Sequence, residues 1–154
     1  MLYFKKNLKK SEDKAMEARI KRALENHKKG YNCAQSVLCA YSDLLGVEEE
    51  TLFAVAEGFG GGMGGMQGTC GAVTGMYMAA GLYNSCKDLE ACSTKPVTNQ
   101  LVRELAKEFQ DKNLSLICRE LKGVDTGKAL RSCDGCIEDA VRILGEKFFR
   151  EERE

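Results

Sequence analysis

Apolar residues recur along this chain at three- and four-residue intervals, while strict alternation is absent, which points to amphipathic helices rather than strands. Met16, Ile20 and Leu24 share one face of a first helix that Ser11 is placed to cap and Gly30 to stop. Asn32 followed by Gln35 is a capping-box pattern, opening a helix through Leu45 that ends at Gly46. A third helix spans about Glu48 to Glu57 and dissolves into glycines. Thr69 is placed to cap a fourth, roughly Cys70 to Leu82. Val97, Leu101, Leu105 and Phe109, at strict four-residue spacing, mark a fifth near Pro96 to Asp111. Ser115 begins a short turn containing Cys118, and a last helix follows Cys133 with Ile137, Ala140, Val141, Leu144 and Phe148 as its core stripe. The expected architecture is all-α: a single-domain helical bundle of about five to six helices with a central glycine-rich loop. Residues 1–10 are a basic N-terminal extension and 11–150 the helical domain.

The stretch "GFGGGMGGMQGTCGAVTG", Gly58 to Gly75, interrupts this pattern with nine glycines and one cysteine in eighteen residues. Gly71, Gly75 and Ala79 then fall at i, i+4 and i+8, a smooth ridge on which another backbone can approach closely. Glycine costs up to about 1 kcal/mol per helical position, so two on one face point to tight packing. The run from Gly58 to Cys86 carries no charge. Its first half is mostly glycine, however, and a membrane span needs roughly 20 apolar residues, so a buried helix is expected and no membrane insertion.

Charge adds little. Lys plus Arg and Asp plus Glu balance at 23 each, so no global field steers nucleic acid or an acidic membrane. The "KKNLKK" cluster reads as a solvated end, because no aromatic platform for bases follows it. "MLYF" is too short for the apolar core of a secretory signal, so a cytoplasmic location is expected. His27 is the single histidine and reads as a helix-end surface residue. That scarcity removes histidine-based triads, most zinc enzymes and, with no C-x-x-C-H, c-type haem.

The eight cysteines carry the candidate chemistry. In a reducing compartment such clusters suggest metal or redox chemistry more than structural staples. Cys33 follows the Asn32 cap, Cys70 follows Thr69, and Cys133 follows Ser132. In a first helical turn, free N–H groups and the positive end of the macrodipole favour the thiolate, the form that binds metals and attacks disulfides. Cys118, three residues after Ser115, could join them. Cys39 reads as core, and Cys86 and Cys92 as a pair in a connection, open to pairing, metal binding or neither. Cys133-Asp134-Gly135-Cys136 has C-x-x-C spacing, although no βαβ unit surrounds it. "GGGMGG" follows a helix rather than a strand, and "GVDTGKA" lacks the Ser/Thr of a P-loop, so neither supports nucleotide binding.

Taken together, "GYNCAQSVL", "GFGGGMGGMQGTCGAVTG", "ICRELKG" and "RSCDGCIEDAVRIL" resemble the redox-active family named C_GCAxxG_C_C, over about Gly30 to Leu144. Cys70, Gly71, Ala72 and Gly75 match its central motif, with Cys-Gly-Ala standing where the family name reads Gly-Cys-Ala. The resemblance implies Cys33, Cys70, Cys118 and Cys133 as the functional set, with Cys136 competing for the fourth place. The family is similar to a region of split-Soret cytochrome c associated with an iron–sulfur centre, which implies iron–sulfur ligation here without haem.

The expectation is a redox protein whose two-iron or four-iron cluster serves electron transfer or redox sensing with an unidentified redox partner protein. A homodimer is compatible with the chain, no nucleic acid is expected, and no catalytic acid or base is assigned. Two alternatives stand beside it. One is a thiol–disulfide protein using Cys70 and the Cys133–Cys136 pair. The other is a helical protein held together by structural zinc. The glycine loop would wrap the start of the fourth helix and donate N–H groups to sulfur, tuning a cluster's potential. Met63 and Met66 would either cover the site or pack in the core.

Overall fold

The 28-residue opening helix, α1 (Leu2–Lys29), runs straight through Ser11, the residue expected to cap it. Upstream residues are mostly lysine and leucine with no proline or glycine, so an existing helix simply propagates across one serine. The computed structural model describes residues 2–150. Helix α1 stops as expected at Gly30, whose φ of +113° turns the chain, with the N–H of Tyr31 donating to Asn26 O at 3.1 Å.

The chain continues through α2 (Cys33–Cys39), α3 (Ser42–Leu45), α4 (Glu49–Glu57), α5 (Gly60–Met63), α6 (Gly71–Asn84), α7 (Lys95–Asn113), α8 (Cys118–Lys122) and α9 (Cys133–Phe148). The Asn32–Gln35 capping box forms as expected. The helix predicted as continuous to Leu45 instead breaks at Tyr41, with Gly46 ending α3 in the left-handed region. Arg19 explains the break, because its Nη1 donates to the Ala40 carbonyl at 2.7 Å and removes it from the helical ladder. Segment α5 is helical only in one closing bond, Gly64 N–H to Gly60 O at 2.9 Å, since Gly61 and Gly62 have φ of +62° and +58°. Eight right-handed helices remain among the described residues, more than the predicted five to six because of the break and the short α8. The all-α class stands.

Helix α6 lies at the centre, packed by α2, α7 and α9, while α1 covers α9 and α2. The ridge on α6 does what its small residues suggest. A Cβ on Gly71 would sit 3.1 Å from Ala34 N, and one on Gly75 would sit 3.0 Å from Ala34 O. At such distances a side chain fits only if α2 gives way by a few tenths of an ångström, so α2 and α6 meet nearly backbone to backbone. Val37, Val73, Met76, Leu105, Phe109, Ile137, Val141 and Leu144 are buried in one contiguous core. The Tyr41 hydroxyl donates to Val141 O at 2.7 Å inside it. Among the described residues no helix is long and apolar enough to cross a membrane.

Candidate functional site: a thiol centre at the helix starts

Four local devices bring cysteines to one end of the bundle. Asn32 Oδ1 accepts from Gln35 N–H at 2.8 Å and Gln35 Oε1 from Asn32 N–H at 2.9 Å, fixing Cys33 as the first residue of α2. Asn32 Nδ2 also donates to Glu57 O at 3.0 Å, which ties the end of α4 to that start. Ser132 caps α9 by accepting from Gly135 N–H at 3.0 Å, so Cys133 opens that helix and Cys136 follows one turn on, on the same face.

The third and fourth devices are one pairing. Thr69 and Ile117 form an isolated antiparallel bridge. Cys70 N–H donates to Leu116 O at 2.7 Å, and Cys118 N–H donates to Gly68 O at 3.0 Å. Two residues distant in sequence are thereby set side by side. Thr69, engaged in this bridge, is not the cap of α6, and Cys70 itself occupies the cap position. Its side chain makes no capping hydrogen bond, but its sulfur lies close enough to the N–H groups of Ala72 and Val73 for them to favour the thiolate.

The glycine-rich segment closes over Cys118. A Cβ on Gly62 would collide with Cys118 Cβ and stand 3.3 Å from its Sγ, and one on Gly71 would stand 3.1 Å from Cys33 Cβ. Both glycines let the main chain press against the cysteines. Three of the segment's own N–H groups are engaged within it. Gly64, Met66 and Gly68 donate to Gly60 O, Gly61 O and Gly62 O, bonds that fold the segment upon itself. Met63 lies exposed, and Met63 and Met66 both adopt φ of +64°, as turn residues do.

The result is a group of five thiols: Cys33, Cys70, Cys118, Cys133 and Cys136. Cys33 lies against Cys133, and Cys136 against Cys70, each pair close enough for one thiol to stabilise the other as thiolate. Cys118 lies within electrostatic reach of Cys70 and Cys133. Cys70, Cys118 and Cys136 are buried, and Cys33 and Cys133 are half-buried. The pairing divides the group by charge. The bond from Cys33 holds Cys133 down to about 6 against the opposing effect of burial, helped by the positive charge of Lys122. The bond from Cys136 lowers Cys70, with the two backbone N–H groups of α6 adding to it. Their donors move the other way: Cys33 rises through its bond to Cys133 and through burial, Cys136 through its bond to Cys70 and through burial. Cys118 rises, first by burial and then by the charge of Cys70.

Two residues on the rim carried no signal in their spacing. His27, expected as a plain surface histidine, is half-buried, and its Nδ1 lies 2.7 Å from Asp134 Oδ1, beside Cys133. Lys122, at the end of α8, is the cation acting on both Cys118 and Cys133. Behind the site, buried Asp139 accepts from Arg131 Nε at 3.1 Å, Lys112 Nζ at 3.1 Å and Asn113 Nδ2 at 3.1 Å, pinning α9 to α7 and to the segment that leads into Cys133.

The three remaining cysteines stand apart. Cys39 is buried, as expected of a core residue, with burial raising its thiol to about 11. Cys86 and Cys92 are exposed in the connection between α6 and α7. Among the described residues, no three His, Cys, Asp or Glu side chains are arranged to hold a metal ion. A tetrahedral zinc site needs its sulfurs gathered about one point, whereas a cluster spreads its cysteines over several iron atoms. Five soft sulfurs are donors that suit either group in their chemistry.

A family model described as "Putative redox-active protein (C_GCAxxG_C_C)" matches residues 31–147, a span that contains all five thiols. No curated protein and no solved structure matches the chain.

Proposed function

The chain belongs to the C_GCAxxG_C_C family of redox-active proteins, and from that premise we propose that it holds an iron–sulfur cluster through Cys33, Cys70, Cys118 and Cys133. The single observation behind this reading is the meeting of thiols from four distant segments at the starts of α2, α6, α8 and α9. When bound, such a cluster supplies reversible electron storage at a potential set by charge, hydrogen bonding and burial.

Each part of the chain has a role in that reading. Cys70 and Cys133 are the thiols already biased toward the anionic form that ligates iron. Lys122 offsets part of the negative charge that four thiolates bring into a half-buried space. Cys136 supports Cys70 by hydrogen bonding, which makes it a positioning residue and the natural substitute if a ligand is lost. The carboxylate of Asp139 keeps Cys133 and Cys136 in register with the rest. Electron transfer or redox sensing in the cytosol, with a partner protein, is the role we assign to such a centre.

A second reading is favoured by the thiol pairs themselves. Cys33 with Cys133, and Cys70 with Cys136, are each positioned to be oxidised to a disulfide. These partners differ from the Cys133–Cys136 couple suggested by C-x-x-C spacing, because each of those thiols is engaged across the helix interface. Purification without oxygen, followed by iron, acid-labile sulfide and zinc analysis, separates the readings. Iron and sulfide in equal amounts with a brown colour support the cluster. A colourless protein whose oxidation links Cys33 to Cys133 and Cys70 to Cys136 supports the disulfide reading.

A further inference from the structure

Cys86 and Cys92 lie at the opposite end of α6 from the thiol centre, in the connection spanning residues 85–94. A helix of fourteen residues is about 21 Å long, so this loop is out of direct reach of the five thiols of that centre. Both cysteines are free and exposed. Asp88 Oδ1 accepts from the N–H groups of Glu90 and Ala91, each at 3.0 Å, and Cys92 N–H donates to Asp88 O at 3.1 Å. This tight turn folds the chain back on Cys86. Thr94 Oγ1 accepts from Cys86 N–H at 3.3 Å, and the hydroxyls of Ser93 and Thr94 each lie 3.7 Å from Cys86 Sγ. Cys92 directly precedes Ser93, about 3.8 Å away between Cα atoms, so the turn brings its backbone next to the residues that face Cys86. Its thiol donates to Leu89 O at 3.3 Å, a bond that a rotation about χ1 releases.

We propose that Cys86 and Cys92 form a second redox couple, on the surface, which exchanges with low-molecular-weight disulfides: Cys86 attacks and Cys92 resolves. Both thiols are open to solvent, and the loop between them is short enough to close a small ring. The N–H of Asp88, then the hydroxyls of Ser93 and Thr94 and the N–H of Ser93, hold the Cys86 sulfur down to about 6, the nucleophilic thiolate at neutral pH. The charged side chains of the same segment are Lys87, Asp88 and Glu90, with Lys95 at the start of α7.

The exchange balances in two steps. The Cys86 thiolate attacks one sulfur of the small disulfide, forming a mixed disulfide and releasing one small thiolate. Cys92 then loses its proton to solvent and attacks Cys86 Sγ, which forms the Cys86–Cys92 disulfide and releases the second small thiolate. The protein dithiol loses two electrons and the small disulfide gains them. The couple operates whether or not the buried centre carries a cluster.

The test uses the full-length protein at neutral pH, mixed without oxygen with one equivalent of oxidised glutathione, then quenched with iodoacetamide and mapped by peptide mass. The wild type should show a Cys86–Cys92 disulfide with no glutathione retained on either residue. Cys92→Ser should stop at glutathione on Cys86, and Cys86→Ser should lose reaction in this loop by about tenfold or more. Glutathione retained on Cys86 in the wild type, with Cys92 still open to iodoacetamide, would overturn the proposal. So would equal loop reactivity of the two variants. Unchanged circular dichroism of both variants confirms that the comparison is made on folded protein, as expected for an exposed loop.

Discussion

Helix α6 has cysteines at both ends, and the two ends treat them differently. At its start Cys70 joins four other thiols under a sheath of glycines, in contact with three further helix starts. At its far end Cys86 and Cys92 sit in water on a ten-residue connection held by its own hydrogen bonds. Both ends lower a thiol, Cys70 at one and Cys86 at the other, and they do so by hydrogen bonding. The difference lies in what surrounds the sulfur. A buried group can hold a soft, charged cofactor away from solvent, whereas an exposed pair can meet a small oxidant. Local hydrogen bonds set the nucleophile, and packing decides what it reacts with.

That contrast can be broken by substitution. The largest effect is expected at Gly62, where φ is +58° and a side chain would strike Cys118. Gly62→Val should destabilise the fold by about 2–5 kcal/mol, combining left-handed strain with overpacking, read from a chemical denaturation midpoint. Gly75→Leu comes next. It forces α2 from α6 at a point where a Cβ would lie only 3.0 Å from Ala34 O, and overpacking of this kind costs about 1–3 kcal/mol. Asn32→Ala removes the capping box that places Cys33, with an expected loss of about 0.5–2 kcal/mol. Leu89→Ser, at a side chain 88 % exposed in the loop, should change stability by less than about 0.5 kcal/mol. If Leu89→Ser costs as much as Gly75→Leu, the loop is not the independent surface element described above.

A pH profile sharpens the comparison. Thiolate is the reactive form, so alkylation of Cys86 should rise with pH, reach half its plateau near 6 and fall away below that value. An ordinary thiol reaches half its plateau near about 8.5. Replacing Ser93 and Thr94 together by alanine removes two of the hydroxyl donors and should move the Cys86 midpoint upward. A profile that stays near 6 in that double variant would assign the shift to the N–H groups of Asp88 and Ser93.

Signals that act within one turn of chain were legible in the sequence. The Asn32–Gln35 box, Gly30, Gly46 and the Ser132 cap all depend on neighbours three or four residues away, and all appear where expected. Signals that compete with distant chain were not. Arg19 breaks the helix at Ala40, and Ile117 recruits Thr69 into a bridge; neither contact leaves a trace in local spacing. The same division holds at the site. Cys33 and Cys133 could be placed at helix starts and Cys118 in its short turn, while Cys70, expected one residue inside α6, is its cap. Cys136 joins them only because α9 crosses α6, and the approach of His27 to Asp134 depends on how α1 packs against α9. The Cys86 loop was visible as two cysteines in a connection, but its hydrogen-bonded turn was not.

The central claim is that the buried thiols, not the exposed ones, bind the cofactor. It is tested most directly by reconstituting Cys70→Ala and a Cys86→Ala/Cys92→Ala double variant in parallel with iron and sulfide under anaerobic conditions, then counting iron and sulfide per folded chain. The double variant should retain both, with the visible absorption of the wild type, while Cys70→Ala should lose the absorption and most of the iron. A folded Cys70→Ala protein with full iron and sulfide, or a double variant that has lost them, would contradict the account.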